Sequence, residues 1–469
     1  VRAEGWSELF RGGNAARGAV LAGGMTMHAI NTFIVVTILP TVVRDIGGLP
    51  FFAWSTTLYV VASLFGGACC SRVLARLGAR GAYRLALAVF ALGCVVCATA
   101  PSMPVLLAGR LLQGFGAGTL SALSFTMVRL LFPETLWSRA LAVISAAWGV
   151  ATLLGPALGG MFAQYTGWRF AFWALFALSP CLLVLVERTL PRDLPRQPAP
   201  RTRLAMINLL VLAGAVLSVS AASMFNGPRA GALGLLIASS GLFLFVRLEA
   251  GGGPRLLPRT ACNPLRPLGA TYAAMVLLLI GICTEIFVPY FLQVLHGLAP
   301  LNAGYLSALM AGGWTSGSIV SAGLPAPAAR IALLCGPAAL ALGLLGLFVL
   351  MPVPGGDLGT IAAMGCALAG MGIGIGLCWP NLGARVFSAA MEGEKELAAA
   401  SMTVVIMVGN AFGSALGGMV TNLAGLTRPG GSAGASSAAS WLFGCFIVAP
   451  ALAALIIRRF RALAPPVVV

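Results

Sequence analysis

Stretches of roughly twenty consecutive apolar residues recur along the whole chain, and that length leaves few folds open. In hydrocarbon a backbone must pair its own N–H and C=O groups, so each stretch fits one helix crossing a bilayer. Fourteen qualify, at approximately 19–43, 52–75, 83–100, 103–130, 140–163, 169–187, 204–224, 231–249, 268–296, 301–323, 330–351, 359–383, 397–424 and 439–458. With 59% hydrophobic and 9% charged residues and a mean hydropathy of +0.96, an ordinary soluble protein is excluded. The predicted class is an all-α membrane protein.

A formal charge of +17 would point a soluble protein toward nucleic acid, but the placement of these charges gives a different answer. With both termini cytoplasmic, that side receives Arg72, Arg76, Arg80, Arg84, Arg129, Arg139, the cluster from Arg188 to Arg203, and Arg247 to Arg266. Arg44, Arg169, Arg229 and Arg428 fall on the other side, and Arg110 is left inside a span. This positive-inside pattern implies an even number of crossings and a lipid bilayer, not nucleic acid, as partner. All but one of the 11 cysteines lie in spans, the exception being Cys262, so neither a disulfide framework nor a metal site is expected, and no cofactor. The polar start, with Glu4 and Glu8, leaves the first span to direct insertion.

Glu285 stands alone as an acid deep inside a span. A carboxylate there costs several kcal/mol unless it is protonated, paired or facing water, so it is a proton-handling candidate; the passive reading is an acid that stays protonated in an apolar niche. Pro289 has no N–H for the carbonyl of Glu285, which predicts a kink, and Tyr290 and Gln293 follow on the same segment as candidate cavity residues. In the first span His28, Asn31, Thr32 and Thr37 could form a polar stripe, although the threonines serve equally well in helix packing. His28 adds a charge that can switch near neutral pH. Arg110, two turns into the fourth span, needs acceptors, and Gln113 lies one turn on; it either tunes a cavity acid or is a structural partner.

The turn containing Arg76, Gly78 and Arg80 could latch to exposed carbonyls at a helix end or could be a topology signal alone. The run Gly155-Pro156-Ala157-Leu158-Gly159-Gly160 reads as a bend and sliding surface in the fifth span. Trp168 and Trp173 are placed as interfacial anchors. Glycines 114, 116 and 118 recur at 372, 374 and 376, and the 155–160 run recurs at 413–418, both 258 residues on. Two matches in order at one offset indicate a duplicated half, and the same offset places Glu285 opposite Met27 and His28.

With these residues in view the chain resembles a major facilitator superfamily transporter, of the fourteen-helix drug:proton antiporter branch. Gly155 to Gly160 followed by Gly167-Trp168-Arg169 resembles that family's fifth-helix antiporter motif, and Gly109-Arg110-Leu111-Leu112-Gln113-Gly114 resembles its fourth-helix motif, whose arginine the family implicates in proton coupling. The resemblance implies two six-helix bundles plus two inserted helices. Its divisions would be a cytoplasmic tail 1–18, a bundle 19–188, a linker with the inserted pair 189–267, a second bundle 268–458 and a cytoplasmic tail 459–469. Two acids of the family's pattern are missing: Ala75 stands where the cytoplasmic-loop motif has an Asp, and Asn31 where the first-helix motif has one.

The expected function is proton-coupled export of lipophilic or cationic small molecules by alternating access, with Glu285, Arg110 and His28 in proton coupling, Asn31, Gln113, Tyr290 and Gln293 lining the cavity, and Gly155, Pro156, Gly159, Gly160, Arg76, Gly78 and Arg80 in conformational change. A symporter or carrier of lipid-like substrates on the same fold, and a non-transporting membrane sensor, are the alternatives. No nucleophile and base pair points to an enzyme, and no phosphate-binding loop points to ATP drive. Arginine outnumbers lysine 28 to 1, which suggests a GC-rich bacterium, an inner membrane and, with no assembly signal, a monomer.

Overall fold

The computed structural model describes residues 9, 13–191, 205–225, 227–251 and 253–463. Most of both expected tails and the Arg-rich stretch 192–204 of the linker lie outside the described residues. Among the described residues every regular element is helical, and eleven helices are long and apolar enough to cross a membrane. The chain forms two compact units, Val1–Gly48 with Leu58–Leu204, and Leu49–Thr57 with Ala205–Val469.

The first unit is built from α1 (Asn14–Ile46), α2 (Trp54–Ala98), α3 (Met103–Leu131), α4 (Glu134–Met161) and α5 (Arg169–Thr189). In α2 the chain reverses at Gly78, whose φ of 70° and ψ of 177° only glycine adopts cheaply, leaving arms at 54–77 and 79–98. The first arm's opening turn is counted with the second unit.

The second unit holds α6 (Met206–Ala222), α7 (Pro228–Ala250), α8 (Pro267–Ile282), α9 (Val288–Val294), α10 (Pro300–Ala322), α11 (Ala326–Leu350), α12 (Leu358–Ala389), α13 (Lys395–Leu423), α14 (Gly431–Phe446) and α15 (Val448–Leu463).

Glycine spacing explains how each unit packs. On α3, Gly114 and Gly118 meet the first arm of α2 at Tyr59 and Ser63, while Gly116 faces Ala86 and Phe90 of the second arm. On α12, Gly372 and Gly376 meet α10 at Met310 and Trp314, while Gly374 faces Gly336 and Leu340 of α11. A methyl group on Gly374 would lie 2.7 Å from the Leu340 amide nitrogen, so the helices touch main chain to main chain. We expect Gly374→Val to cost at least about 1–3 kcal/mol through overpacking and to fail as a monodisperse species on size exclusion. Gly370→Val, one turn earlier with open space around it, should behave as the parent.

The fifth-span motif packs in the same manner. Side chains on Gly155 and Gly159 would strike Phe33 and Ile34 of α1; on Gly413 and Gly417 they would strike Cys283 and Phe287. This corrects the register of the duplication. Positions on α3 and α4 recur 258 residues on, but their partners Phe33 and Cys283 are 250 apart, as are Phe90 and Leu340. Glu285 therefore corresponds to Val35, not to His28. The step falls between Leu340 and Gly372, a stretch longer than its counterpart from Phe90 to Gly114, in which the connection 351–357 exceeds 99–102 by three residues and longer helix ends supply the rest.

Pro289 does not bend a continuous helix. Regular α-helix stops at Ile282, a 3-10 turn runs over Cys283–Phe287, and Pro289 sits in the first turn of α9. The Glu285 carbonyl that Pro289 cannot serve is taken by the N–H of Val288.

Two further expectations change. Trp168 is only 3% exposed and is not an interfacial anchor; its Nε1 donates to Asp45 Oδ2 at 3.0 Å, beside Arg169 at 2.6 Å. The inserted pair, whose sequence reads as two plain apolar helices with little that could bind or catalyse, carries a buried acid. Glu249, at the end of α7, is buried and accepts from Asn208 Nδ2 and from the amides of Leu256 (3.0 Å) and Leu257 (2.9 Å). A buried carboxylate is tolerable when neutral donors saturate it, and here they fasten the following connection to α6. Glu249→Gln would turn an NH2 group toward those amides. We expect protease cleavage within 251–266 to rise at least about tenfold, read by mass spectrometry of the fragments.

Candidate functional site

Helical spacing builds the first unit's polar cluster. His28 and Asn31 lie three apart on α1, Arg110 and Gln113 three apart on α3, so each pair shares a face. Arg110 is 1% exposed. Its guanidinium donates to Asn31 Oδ1 and, at 2.8 Å, to Gln113 Oε1, and lies 4.2 Å above the Tyr59 ring. The Tyr59 hydroxyl is 2.9 Å from His28 Nδ1 and donates to the His28 carbonyl at 3.1 Å. The His28 ring also packs against Trp148. Gln113 turns its amide nitrogen to Cys94 Sγ at 3.2 Å, while among the described residues Asn31 Nδ2 is buried with no partner.

The structure thus brings together four of the predicted residues, His28, Asn31, Arg110 and Gln113, in one unit. Tyr59, Cys94 and Trp148 complete that cluster and were missed by the sequence reading. For Tyr59 a signal existed, since Ser55, Tyr59 and Ser63 recur every four residues and mark one polar row in an otherwise apolar run.

Glu285, Tyr290 and Gln293 belong to the second unit. Glu285 is half-buried on the 3-10 turn, and among the described residues no hydrogen-bond or ion-pair partner meets its carboxyl. Beside it Cys283 Sγ lies 3.7 Å from the carbonyl and the side-chain oxygen of Asn410 on α13. Tyr290 and Gln293 are each 8% exposed, and both polar atoms of the Gln293 amide are buried without a partner among the described residues. A carboxyl and an amide left unsatisfied on one interrupted helix form a place where a mobile ligand or proton could supply what the protein does not.

The predicted conformational residues all belong to the first unit, in two separate places. Gly155 and Gly159 seal α4 onto α1, with Pro156 between them inside α4 and Gly160 at the end of the same run. Arg80 Nε donates to the Leu190 carbonyl at 2.8 Å, just past the end of α5, and its guanidinium reaches Glu187 at 3.3 Å. Arg84 joins Glu187 at 2.6 Å, whereas Arg76 is exposed. Arg80 of the basic turn therefore meets one main-chain carbonyl at a helix end, that of Leu190, with Glu187 as the acid beside it. Among the described residues no group of three or more His, Cys, Asp or Glu side chains is placed to hold a metal ion.

Comparison with known proteins adds the following. The family model described as Major Facilitator Superfamily matches residues 21–418. Over 417 residues the chain is 38% identical to a "probable multidrug-efflux transporter" of Mycobacterium tuberculosis, spanning 86% of this chain and 87% of that protein. It is 25% identical over 409 residues to the multidrug transporter protein MdtP of Bacillus subtilis, covering 85% and 73% of the two chains. Among solved structures, a bacterial homologue of the human lysosomal transporter Spinster superposes with a TM-score of 0.66 at 15% identity, covering 97% of this chain and 99% of that one.

Proposed function

This chain belongs to the Major Facilitator Superfamily, and from that premise we propose that it is a proton-coupled exporter of lipophilic or cationic small molecules, working by alternating access. The observation that carries the proposal is Glu285: an acid in a highly apolar segment, on an interruption of the helix, with no partner among the described residues. A cationic substrate and a proton would compete for that one carboxylate, and such competition is antiport. The 38% identical relative named for multidrug efflux supports the substrate class.

The proposal includes fourteen crossings with both termini cytoplasmic. One of the eleven long apolar helices reverses at Gly78 into two arms, Met206–Ala222 is a shorter apolar helix, and Pro300–Ala322 is long enough to cross although rich in small residues. The inner membrane of a bacterium is the proposed location, and a monomer the proposed working form. The bland alternative for Arg110, a structural partner alone, draws support from its bonds to two neutral amides.

Proton coupling is tested in proteoliposomes carrying a pH-sensitive dye. An exporter of this kind moves protons inward as substrate leaves, and reversing the imposed pH gradient reverses the substrate flux. Co-directional movement of proton and substrate would make it a symporter, and gradient-independent flux would remove proton coupling altogether.

A further inference from the structure

The second histidine of the chain occupies an unusual position. His296 lies just beyond the end of α9, in the turn 295–297 that follows the Glu285 segment. Its Nδ1 contacts the Gly355 carbonyl and its Nε2 lies 3.2 Å from the Met351 carbonyl, both in the connection 351–357. A third contact joins the same two stretches, from the Gly355 amide to the Leu295 carbonyl at 2.8 Å. This connection is three residues longer than its counterpart 99–102 in the first half of the molecule.

Both ring nitrogens face acceptors, and a carbonyl offers no proton. Neutral imidazole has one N–H and one lone pair, so it can satisfy only one of these carbonyls and must turn a lone pair toward the other. Imidazolium donates to both. We propose that His296 is a proton-operated clamp: when protonated it ties the turn after the Glu285 segment to the 351–357 connection through two donated hydrogen bonds, and when it loses its proton one bond is lost and the clamp loosens.

Few other ionisable side chains lie on the stretches that meet the His296 ring. From 297 to 304 no side chain is ionisable, and Tyr305 follows one residue later. The 351–357 connection contributes Asp357, whose carboxylate accepts from the Thr360 amide at 2.9 Å and hydroxyl at 2.7 Å. Those bonds hold its carboxyl below the usual carboxylate range, so it stays ionised wherever histidine titrates. α14 reaches the connection through Ser436 Oγ, which donates to the Pro352 carbonyl at 2.6 Å, and begins three residues after Arg428. Histidine is the side-chain type whose charge ordinarily changes between pH 5 and 8.

On the topology proposed above this clamp faces the outside, where an exporter driven by protons meets acid. That orientation rests on the proposed function; the clamp does not. The test is amide hydrogen–deuterium exchange at Gly355 in the substrate-free full-length protein, in lipid nanodiscs, between pH 5 and 8, with rates corrected for intrinsic pH dependence. Protection in the parent should fall about five- to tenfold as pH rises, the worth of about one hydrogen bond. His296→Gln should give low protection that does not vary with pH, and His296→Lys, permanently charged with several donors, high protection that does not vary either. A pH step that survives in His296→Gln, or its absence from the parent, overturns the proposal. Because no transport is measured, failure of the Glu285 mechanism would leave this result standing, and the reverse holds.

Discussion

Glu285→Gln is expected to reduce gradient-driven efflux at least about tenfold, to the level of passive leak, while the protein still inserts and elutes as the parent does. Gln keeps the volume and most of the hydrogen-bonding capacity of the side chain and removes only the exchangeable charge. What is lost must therefore be the proton cycle. The discriminating measurement is substrate exchange with no pH gradient, which needs the cavity and the conformational change but no net proton movement. With an uncharged lipophilic substrate, which does not need the carboxylate for binding, the variant should retain exchange and lose uphill transport. Loss of both would make Glu285 a binding or structural residue, and full gradient-driven transport would exclude the proposed role.

The second large effect is expected at Arg110. Arg110→Ala removes two charge-assisted hydrogen bonds and the contact with the Tyr59 ring, and leaves the oxygens of Asn31 and Gln113 facing an empty, buried space. Hydrogen bonds to a charged group are worth about 1.5–3 kcal/mol each, so a loss of about 3–6 kcal/mol is expected. Arg110→Lys should fall between, because one ammonium nitrogen can serve both amides as Arg110 Nη1 does but offers no planar face to stack on the phenol. Cys94 and Cys97 are buried beside this cluster, so a thiol-reactive dye reports its opening directly during thermal unfolding. An unchanged melting curve for Arg110→Ala would mean that the cluster contributes nothing to stability.

The segments were legible in the sequence because hydrocarbon imposes length and apolarity on every span, and those survive whatever the tertiary packing. The His28, Asn31, Arg110 and Gln113 cluster was legible for a related reason, since polar groups that three-residue spacing places on one face of an apolar helix need each other. Tyr59, Cys94 and Trp148 were not, because a phenol, a thiol and an indole are indistinguishable from packing residues until a neighbour is known. The register of the duplication failed at Glu285 because both matching motifs lay after the connection whose length differs between the halves. Trp168 and Glu249 show the same limit from the other side. At the end of a span, burial depends on which partner waits there, and Asp45 for one and Asn208 for the other are distant in sequence.

Glycines that bring α3 and α12 into main-chain contact with their neighbours leave these helices no slack to slide or roll. Regular winding gives way elsewhere, at Gly78 in α2, in the π turn Phe162–Thr166 at the end of α4 and in the 3-10 turn Cys283–Phe287 between α8 and α9. One of these joints carries Glu285. The acid is mounted where its helix is interrupted, so in the proposed mechanism a proton gained or lost there would act on a joint and not on the close-packed helices behind it.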